Sequence, residues 1–216
     1  MYKVLNLYAG IGGNRKLWTN VHVTAVEINS QIAEIYQDYF PDDKVIVADA
    51  HQYLLAHYKE YDFIWSSPPC ETHSKIRRAN VLNKNGVSAE AKYPDMTLYQ
   101  EVIFLKNFMP HGKKWVVENV IPYYQPLIPA KKIGRHLFWT NFQIQNIKYK
   151  AKDRIDYVGM NKRFGFDLSK YSLNFKRKCL RNAVDPELGL HILNLALGRI
   201  DKVNAIQTTI FDILKE

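Results

Sequence analysis

Short apolar runs alternate with amphipathic ones through the first 120 residues. "KVLNLYAG" (3–10), "HVTAVEIN" (22–29), "KVIVADA" (44–50), "YDFIWSS" (61–67) and "KWVVENV" (114–120) each read as a strand, with a glycine or a polar residue at or near its end. Between them, "IGGNRKLW" is expected to turn into a helix, and "SQIAEIYQDYF" has helical spacing with Ser30 as cap and Pro41 as stop. "HQYLLAHY" also reads as helical, and "DMTLYQEVIFLKNFM" (95–109) places Leu98, Val102, Leu105 and Phe108 on one helical face. Strands alternating with helices at this spacing predict an α/β fold, a mostly parallel sheet with helices on both faces.

Beyond residue 120 the pattern loosens. "IPYYQPLIPAKKIG" carries three prolines and reads as loop, while "RHLFWTNFQIQNIKY" alternates as antiparallel strands do. Residues 150–180 read as irregular, basic and aromatic, and "DPELGLHILNLALGRI" (185–200) returns to a helix. There is no internal repeat and no low-complexity tract.

Composition narrows the class. A chain of 216 residues can bury one good-sized core. No segment approaches the ~20 apolar residues of a membrane span, and the N-terminus lacks a signal-peptide layout, so no membrane association is expected. Two cysteines, Cys70 and Cys179, give neither a disulfide framework nor paired zinc-ligand spacing, which points to a reducing cytoplasm and no metal. Thirty Lys and Arg against 21 Asp and Glu leave a net charge of +9 and a pI near 9.4. That excess favours a polyanionic partner, nucleic acid first. The basic residues cluster in 75–86, 131–136, 148–154 and 176–181, several of them interleaved with Tyr and Phe that could stack on bases.

In an open α/β sheet, ligands bind beyond the carboxyl ends of the strands. Those ends carry "YAGIGG", Glu27, Asp49, "PPC" and "ENV". Gly10, Gly12 and Gly13 form a turn that lets backbone approach a ligand, although an ordinary tight turn would look the same. Arg15 stands where a dinucleotide fingerprint needs its last glycine, which disfavours a NAD-dependent oxidoreductase. Glu27 is placed to accept from ribose hydroxyls and Asp49 from an adenine amine; both also suit simple helix caps. With the glycine turn they point to an adenosine-containing cofactor, S-adenosylmethionine before NAD. Cys70, braced by two prolines near helix N-termini and basic residues, is expected to have a lowered pKa and to act as a nucleophile. Glu118, after apolar residues at a strand end, is expected to have a raised pKa and to donate to a ring nitrogen; a salt-bridge role fits its motif equally.

"VLNLYAGIGG", "AVEI", "VADA", "DFIWSSPPCETHS", "DMTLYQ", "WVVENV" and "LRNAVDPELGLHIL" occur in the order shown by DNA (cytosine-5) methyltransferases. The chain resembles a small member of that family over roughly residues 3–120 and 180–198. The PPC-then-ENV pairing is the specific part. The resemblance implies a Rossmann-like, S-adenosylmethionine-dependent methyltransferase fold with a small irregular β-rich appendage. The division it implies is a catalytic domain over 1–139, a reduced target-recognition region over 140–178, and a helical segment over 179–216 returning to the catalytic domain. It makes Cys70 the nucleophile and Glu118 the group on the cytosine N3/N4 edge, with Arg135 or His136 left as the base contact. The cofactor set it implies is Tyr8, Ala9, Gly10, Gly12, Gly13, Glu27, Ile28, Asp49, Ala50, Pro69 and Asn182. Residues 71–93 would be a mobile loop closing over DNA, the expected partner, with a monomer as the default state.

This chain departs from the family at several places. Glu71 and His73 stand where the family has Gln and an aromatic, Tyr8 stands for Phe, and Arg181 replaces a glycine. Residues 140–178 are few for a recognition lobe. The same chemistry on RNA, or a non-catalytic nucleic-acid-binding protein on the same scaffold, are the competing readings.

Overall fold

A computed structural model describes residues 1–82, 90–145 and 164–199. Its sheet has seven strands: β1 (Tyr2–Leu7), β2 (Val21–Glu27), β3 (Lys44–Val47), β4 (Phe63–Ser66), β5 (Lys114–Val120), β6 (Lys131–Ile133) and β7 (His136–Thr140). Their order in space is β3-β2-β1-β4-β5-β7-β6. The first five are parallel, and β7 runs antiparallel to both β5 and β6. The helices are α1 (Ser30–Tyr39), α2 (Ala50–His57), α3 (Lys75–Leu82), α4 (Thr97–Phe108), α5 (Leu173–Asn182) and α6 (Pro186–Ala196). Among the described residues no helix is long and apolar enough to cross a membrane.

Period-two alternation in the strands separates two buried faces. Leu5, Leu7, Ile64, Trp115 and Val117 meet α2 and α4 through Leu54, Leu98, Val102 and Leu105. Val4, Val23, Phe63, Trp65 and Val116 meet α6 through Leu188, Ile192 and Leu193 on the other side. A third cluster joins Ala25 of β2 and Ile35 and Tyr36 of α1 to Leu180 of α5. Phe164, Phe166 and Leu168, from the stretch read as recognition region, are buried in that same cluster. The strand order reverses between β1 and β4, so the carboxyl ends of those two strands flank the crevice where ligands of such sheets sit.

Several expectations are corrected. Residues 11–18 form successive turns and no helix. Gly10 and Gly12 have φ of +55° and +82°, outside the right-handed helical region, and Asn14 folds back so that its amide donates to Asn6 Oδ1 at 2.8 Å. The C-terminal chain lies against this turn. A Cβ on Gly13 would stand 2.5 Å from the Val184 carbonyl, and one on Gly189 would stand 2.3 Å from the Asn14 carbonyl. The cap of α1 is Asn29, whose side chain accepts from the Ile32 N–H, with Ser30 already inside the helix. Phe108 leaves the α4 stripe and is 59% exposed. Helix α5 lies where irregular chain was expected, and β6 lies in the stretch read as loop. Of the expected strands after β7, residues 141–145 are not extended in the sheet, and 146–163 fall outside the described residues.

The close approach at Gly189 makes a stability prediction. Gly189→Ala should cost about 1–3 kcal/mol by overpacking. Gly10→Ala, with open space at its Cβ, should lose only the about 1–2 kcal/mol of a left-handed residue. Urea unfolding of both variants checks this, and a Gly189→Ala protein as stable as wild type would contradict the packing.

Candidate active site

The loop after β4 and the end of β5 are fastened to each other. Register pairs Ser66 with Val117, which brings Ser67 level with Glu118. The Ser67 hydroxyl donates to Glu118 Oε2 at 2.9 Å, and the Asn119 amide donates to the Pro68 carbonyl at 2.9 Å. Pro68 is buried and Pro69 exposed, so Cys70 emerges half-buried from a loop held on both sides. After it, the chain turns back, with the His73 N–H on the Cys70 carbonyl. His73, fully buried, meets the Tyr124 hydroxyl through Nδ1 at 2.6 Å, and its carbonyl accepts from the Tyr123 N–H. A polar ring thus replaces the expected aromatic by finding a partner in the loop after β5. Glu71 is exposed.

Glu118 is 5% exposed, although it carries an acid. Its second oxygen, Oε1, is hydrogen-bonded to His136 Nδ1, and Arg135 Nε donates to His136 Nε2 at 3.2 Å. Glu118 pairs with Phe138 and Val120 with His136, so Glu118 and His136 are diagonal neighbours on one face of the antiparallel pair. Cys70, Glu118, Arg135 and His136 therefore gather at one place. His136 touches the carboxylate directly, and Arg135, exposed, stands behind it.

The candidate cofactor residues surround the neighbouring end of β1. Tyr8 has φ of +55°, and its hydroxyl donates to Glu101 Oε1 at 2.6 Å. Ala9 and Gly12 are buried, while Gly10 is partly exposed with nothing within 4 Å of its would-be Cβ. Glu27 caps no helix; its two oxygens accept from the Gly10 and Asn29 N–H groups, each at 3.0 Å. Each oxygen keeps a lone pair for a hydroxyl donor. Ile28 is 68% exposed, an aliphatic side chain with free surface beside Glu27. Asp49 does cap α2, accepting from the Gln52 N–H through Oδ1 and leaving Oδ2 available, with Ala50 buried beneath. Asn182 ends α5 in an exposed position, and the next residue, Ala183, abuts Gly13. A carboxylate for a ribose, an exposed aliphatic surface, an acid for an amine and an open glycine turn fit an adenosyl cofactor. Among the described residues no cluster could hold a metal ion.

Two groups escaped the sequence reading. Ser67 and Asn119 stood inside the quoted motifs but were given no role. Glu101 is fully buried in α4, where its carboxylate accepts from Tyr8 and Ser66 and meets His51 Nδ1 at 3.1 Å. It ties the ends of β1 and β4 to α2. An acid on the apolar stripe Leu98–Val102–Leu105 was the available signal. The hydrogen bond from His51 to Glu101 raises the His51 pKa, and burial raises that of the Tyr8 hydroxyl, which stays a donor. A basic and aromatic groove of about 400 Å³ adjoins the Cys70 loop, lined by Lys75, Arg78, Ala79 and Tyr123, with the Arg78 guanidinium 5.5 Å from the Tyr123 ring centre.

The thiol departs from expectation. Burial pushes the Cys70 pKa up, the Glu118 carboxylate adds to that, and Arg135 only partly opposes it. Helix termini and cations do not win because the sulfur is largely enclosed and faces an acid. Cys179, buried, is pushed up to about 11. Alkylation of the free protein should therefore be slow below the ordinary thiol range of about pH 8.5. Glu118→Gln, removing one raising group, should shift the rate profile of Cys70 to lower pH, with Cys70→Ser as the blank. A wild-type profile already saturated at neutral pH would overturn this.

A model of the C-5 cytosine-specific DNA methylase family matches residues 2–120. A probable DNA (cytosine-5)-methyltransferase of Frog virus 3 (isolate Goorha) is 24% identical over 127 residues, 54% of this chain and 53% of that protein. The chain thus spans about half the length of the curated relative it matches. Among solved structures, a mutant of Spodoptera frugiperda DNMT2 is 23% identical, over 56% of this chain and 36% of that one, with a TM-score of 0.37. The putative methyltransferase yhhF of Escherichia coli is 14% identical, over 64% and 74%, with a TM-score of 0.41. The family match takes in more than half of the 216 residues and contains both the PPC and the ENV segments, and the chain belongs to the C-5 cytosine-specific DNA methylases.

Proposed function

We propose that this protein methylates C5 of cytosine in DNA, with Cys70 as covalent nucleophile and S-adenosylmethionine as cofactor. The observation that carries the reading is the meeting of a half-buried thiol and a buried carboxylate at adjacent strand ends, beside an open glycine turn. Neither group is needed to hold phosphates, which separates this reading from that of a passive nucleic-acid binder.

C5 of cytosine is not nucleophilic within the aromatic ring. When the Cys70 sulfur bonds to C6, its proton passing to the neighbouring Glu118 carboxylate, the C5–C6 π pair becomes available at C5, and the aromaticity that protected it is gone. Glu118, on the N3 and amine edge, then shares that proton with N3 and accepts from the amine, which offsets the negative charge that builds in the ring. When bound, S-adenosylmethionine supplies the electrophilic methyl group. Loss of the C5 proton to water, with the N3 proton returning to Glu118, then restores the double bond and expels the Cys70 thiolate.

Glu27, Ile28, Asp49 and the turn 8–13 would hold the cofactor, and Asn182 would approach it from the far end of the chain. The ring must be attacked from its face, so the cytosine leaves the duplex at a cost of a few kcal/mol, roughly the stacking and pairing given up. Lys75, Arg78 and Tyr123 beside the Cys70 loop supply phosphate contacts and a stacking surface that offset it.

Incubation with radiolabelled methyl donor and duplex DNA, followed by nucleoside analysis, should yield 5-methylcytosine, with structured RNA as the competing substrate. Cys70→Ser should abolish turnover while leaving cofactor binding nearly intact. An active serine variant would refute the covalent route, and label in RNA alone would move the substrate assignment.

A further inference from the structure

The end of the sheet away from Cys70 carries a groove that the candidate site does not use. It holds about 560 Å³ and is walled by Leu105, Lys106 and Met109 of α4, by Trp115 of β5, and by Phe142 and Ile144 after β7. Its lining is mostly apolar, and its uncharged polar side chains are already engaged. Thr140 directs its hydroxyl to the Phe142 carbonyl, and the Asn141 side chain accepts from the Trp115 N–H and donates to the Lys113 carbonyl. A small polar ligand would find few groups to orient it, whereas the apolar stripe of a chain segment suits such a surface.

Arg199, the last described residue, lies at this same end. Its guanidinium donates to the Thr19 and Asn20 carbonyls at 3.0 and 3.4 Å, just before β2. Strand register sets the starts of β2 and β5 level, since Tyr2 pairs with Val21, Val4 with Phe63, and Phe63 with Lys114. Leu197, after α6, packs against the same core cluster as Phe142 and Ile144. Residues 200–216 lie outside the described residues, and their sequence carries a pattern that matches the groove. Val203, Ile206, Ile210, Ile213 and Leu214 recur at helical spacing, with Asp201, Asn204, Thr208, Asp212 and Lys215 on the opposite side of the helical wheel.

We propose that residues 203–214 seat this apolar stripe in the groove between α4 and β7 of their own chain. Three strand spacings, about 15 Å, separate β2 from β5. Residues 200–205 can span up to about 20 Å when extended, which is enough. Covering the groove with the stripe removes both apolar surfaces from water. A second copy would offer the same stripe, but so short a tether gives the chain's own segment an effective concentration of about a millimolar, which a separate molecule rarely matches. The seated segment joins α4, which carries Glu101, to β7, which carries His136, at the end of the sheet remote from the thiol.

Hydrogen–deuterium exchange of the full chain, read by mass spectrometry, tests the seat. In wild type, amides of 203–214 should exchange about tenfold or more slower than those of an unstructured peptide of that sequence. Ile210→Asp should raise exchange about tenfold in 203–214 and in the groove walls, residues 102–109 and 128–142, and leave α1 and β3 unchanged. Ile213→Ala, which removes packing without adding charge, should raise it at the same places by less. Thr208→Asp, with its charge on the polar side, should match wild type. Unprotected amides over 203–214 in wild type, groove walls indifferent to both Ile variants, or a rise at another surface instead would each overturn the proposal. Protection lost on dilution, together with a dimer in sedimentation, would give the groove to a second copy and overturn it as well.

Discussion

Everything at the candidate site depends on two hydrogen bonds that cross from the β4 loop to β5, Ser67 to Glu118 and Asn119 to the Pro68 carbonyl. Both join residues 51 positions apart in the chain. Parallel strands have no hairpin to align them, so their outgoing loops would otherwise be free to splay apart. Here the register Ser66 to Val117 brings the two loop starts level, and the side chains close the gap. The sulfur and the carboxylate belong to one crevice because their backbones are fastened together just beneath them.

The same logic of fastening explains which features were legible in the sequence. The five parallel strands announced themselves because each is a short apolar run cut off by glycine, proline or an acid, and strand ends are where this architecture puts its chemistry. Cys70 and Glu118 stood out as candidates for that reason. The turn 11–18 was misread because helical spacing after a strand is indistinguishable, locally, from a turn held by long-range contacts. What decides it is Gly189 pressing on Asn14, a contact between residues at opposite ends of the chain. Helix α5 was hidden by its own solvent-facing charge, since Lys176, Arg177, Lys178 and Arg181 dilute the few residues it buries. Ser67, Asn119 and Glu101 were unreadable as partners because a hydrogen bond's other half is not in the local pattern.

Protonation was the least legible property, and the reason is instructive. A cysteine after two prolines near cations looks activated when only charges are counted. In the folded chain, enclosure of the sulfur outweighs the nearby Arg135, and the facing carboxylate adds to the effect. The carboxylate that holds the pyrimidine edge in the proposed reaction also raises the pKa of the proposed nucleophile.

In the proposed reaction, the groups that would face the target base sit on the sheet. Glu118, Ser67, Trp65 and His136 all lie on or at the ends of strands β4, β5 and β7, with little freedom to reorient. Phe164, Phe166 and Leu168 are also committed, to the core against α1, which removes them from any surface that could read neighbouring bases. In that reaction the choice of base would rest on the hydrogen-bonding groups inside the crevice. Among the described residues, the groove beside α3, with Lys75, Arg78 and Tyr123, is a surface left to meet neighbouring nucleotides in the proposed reaction.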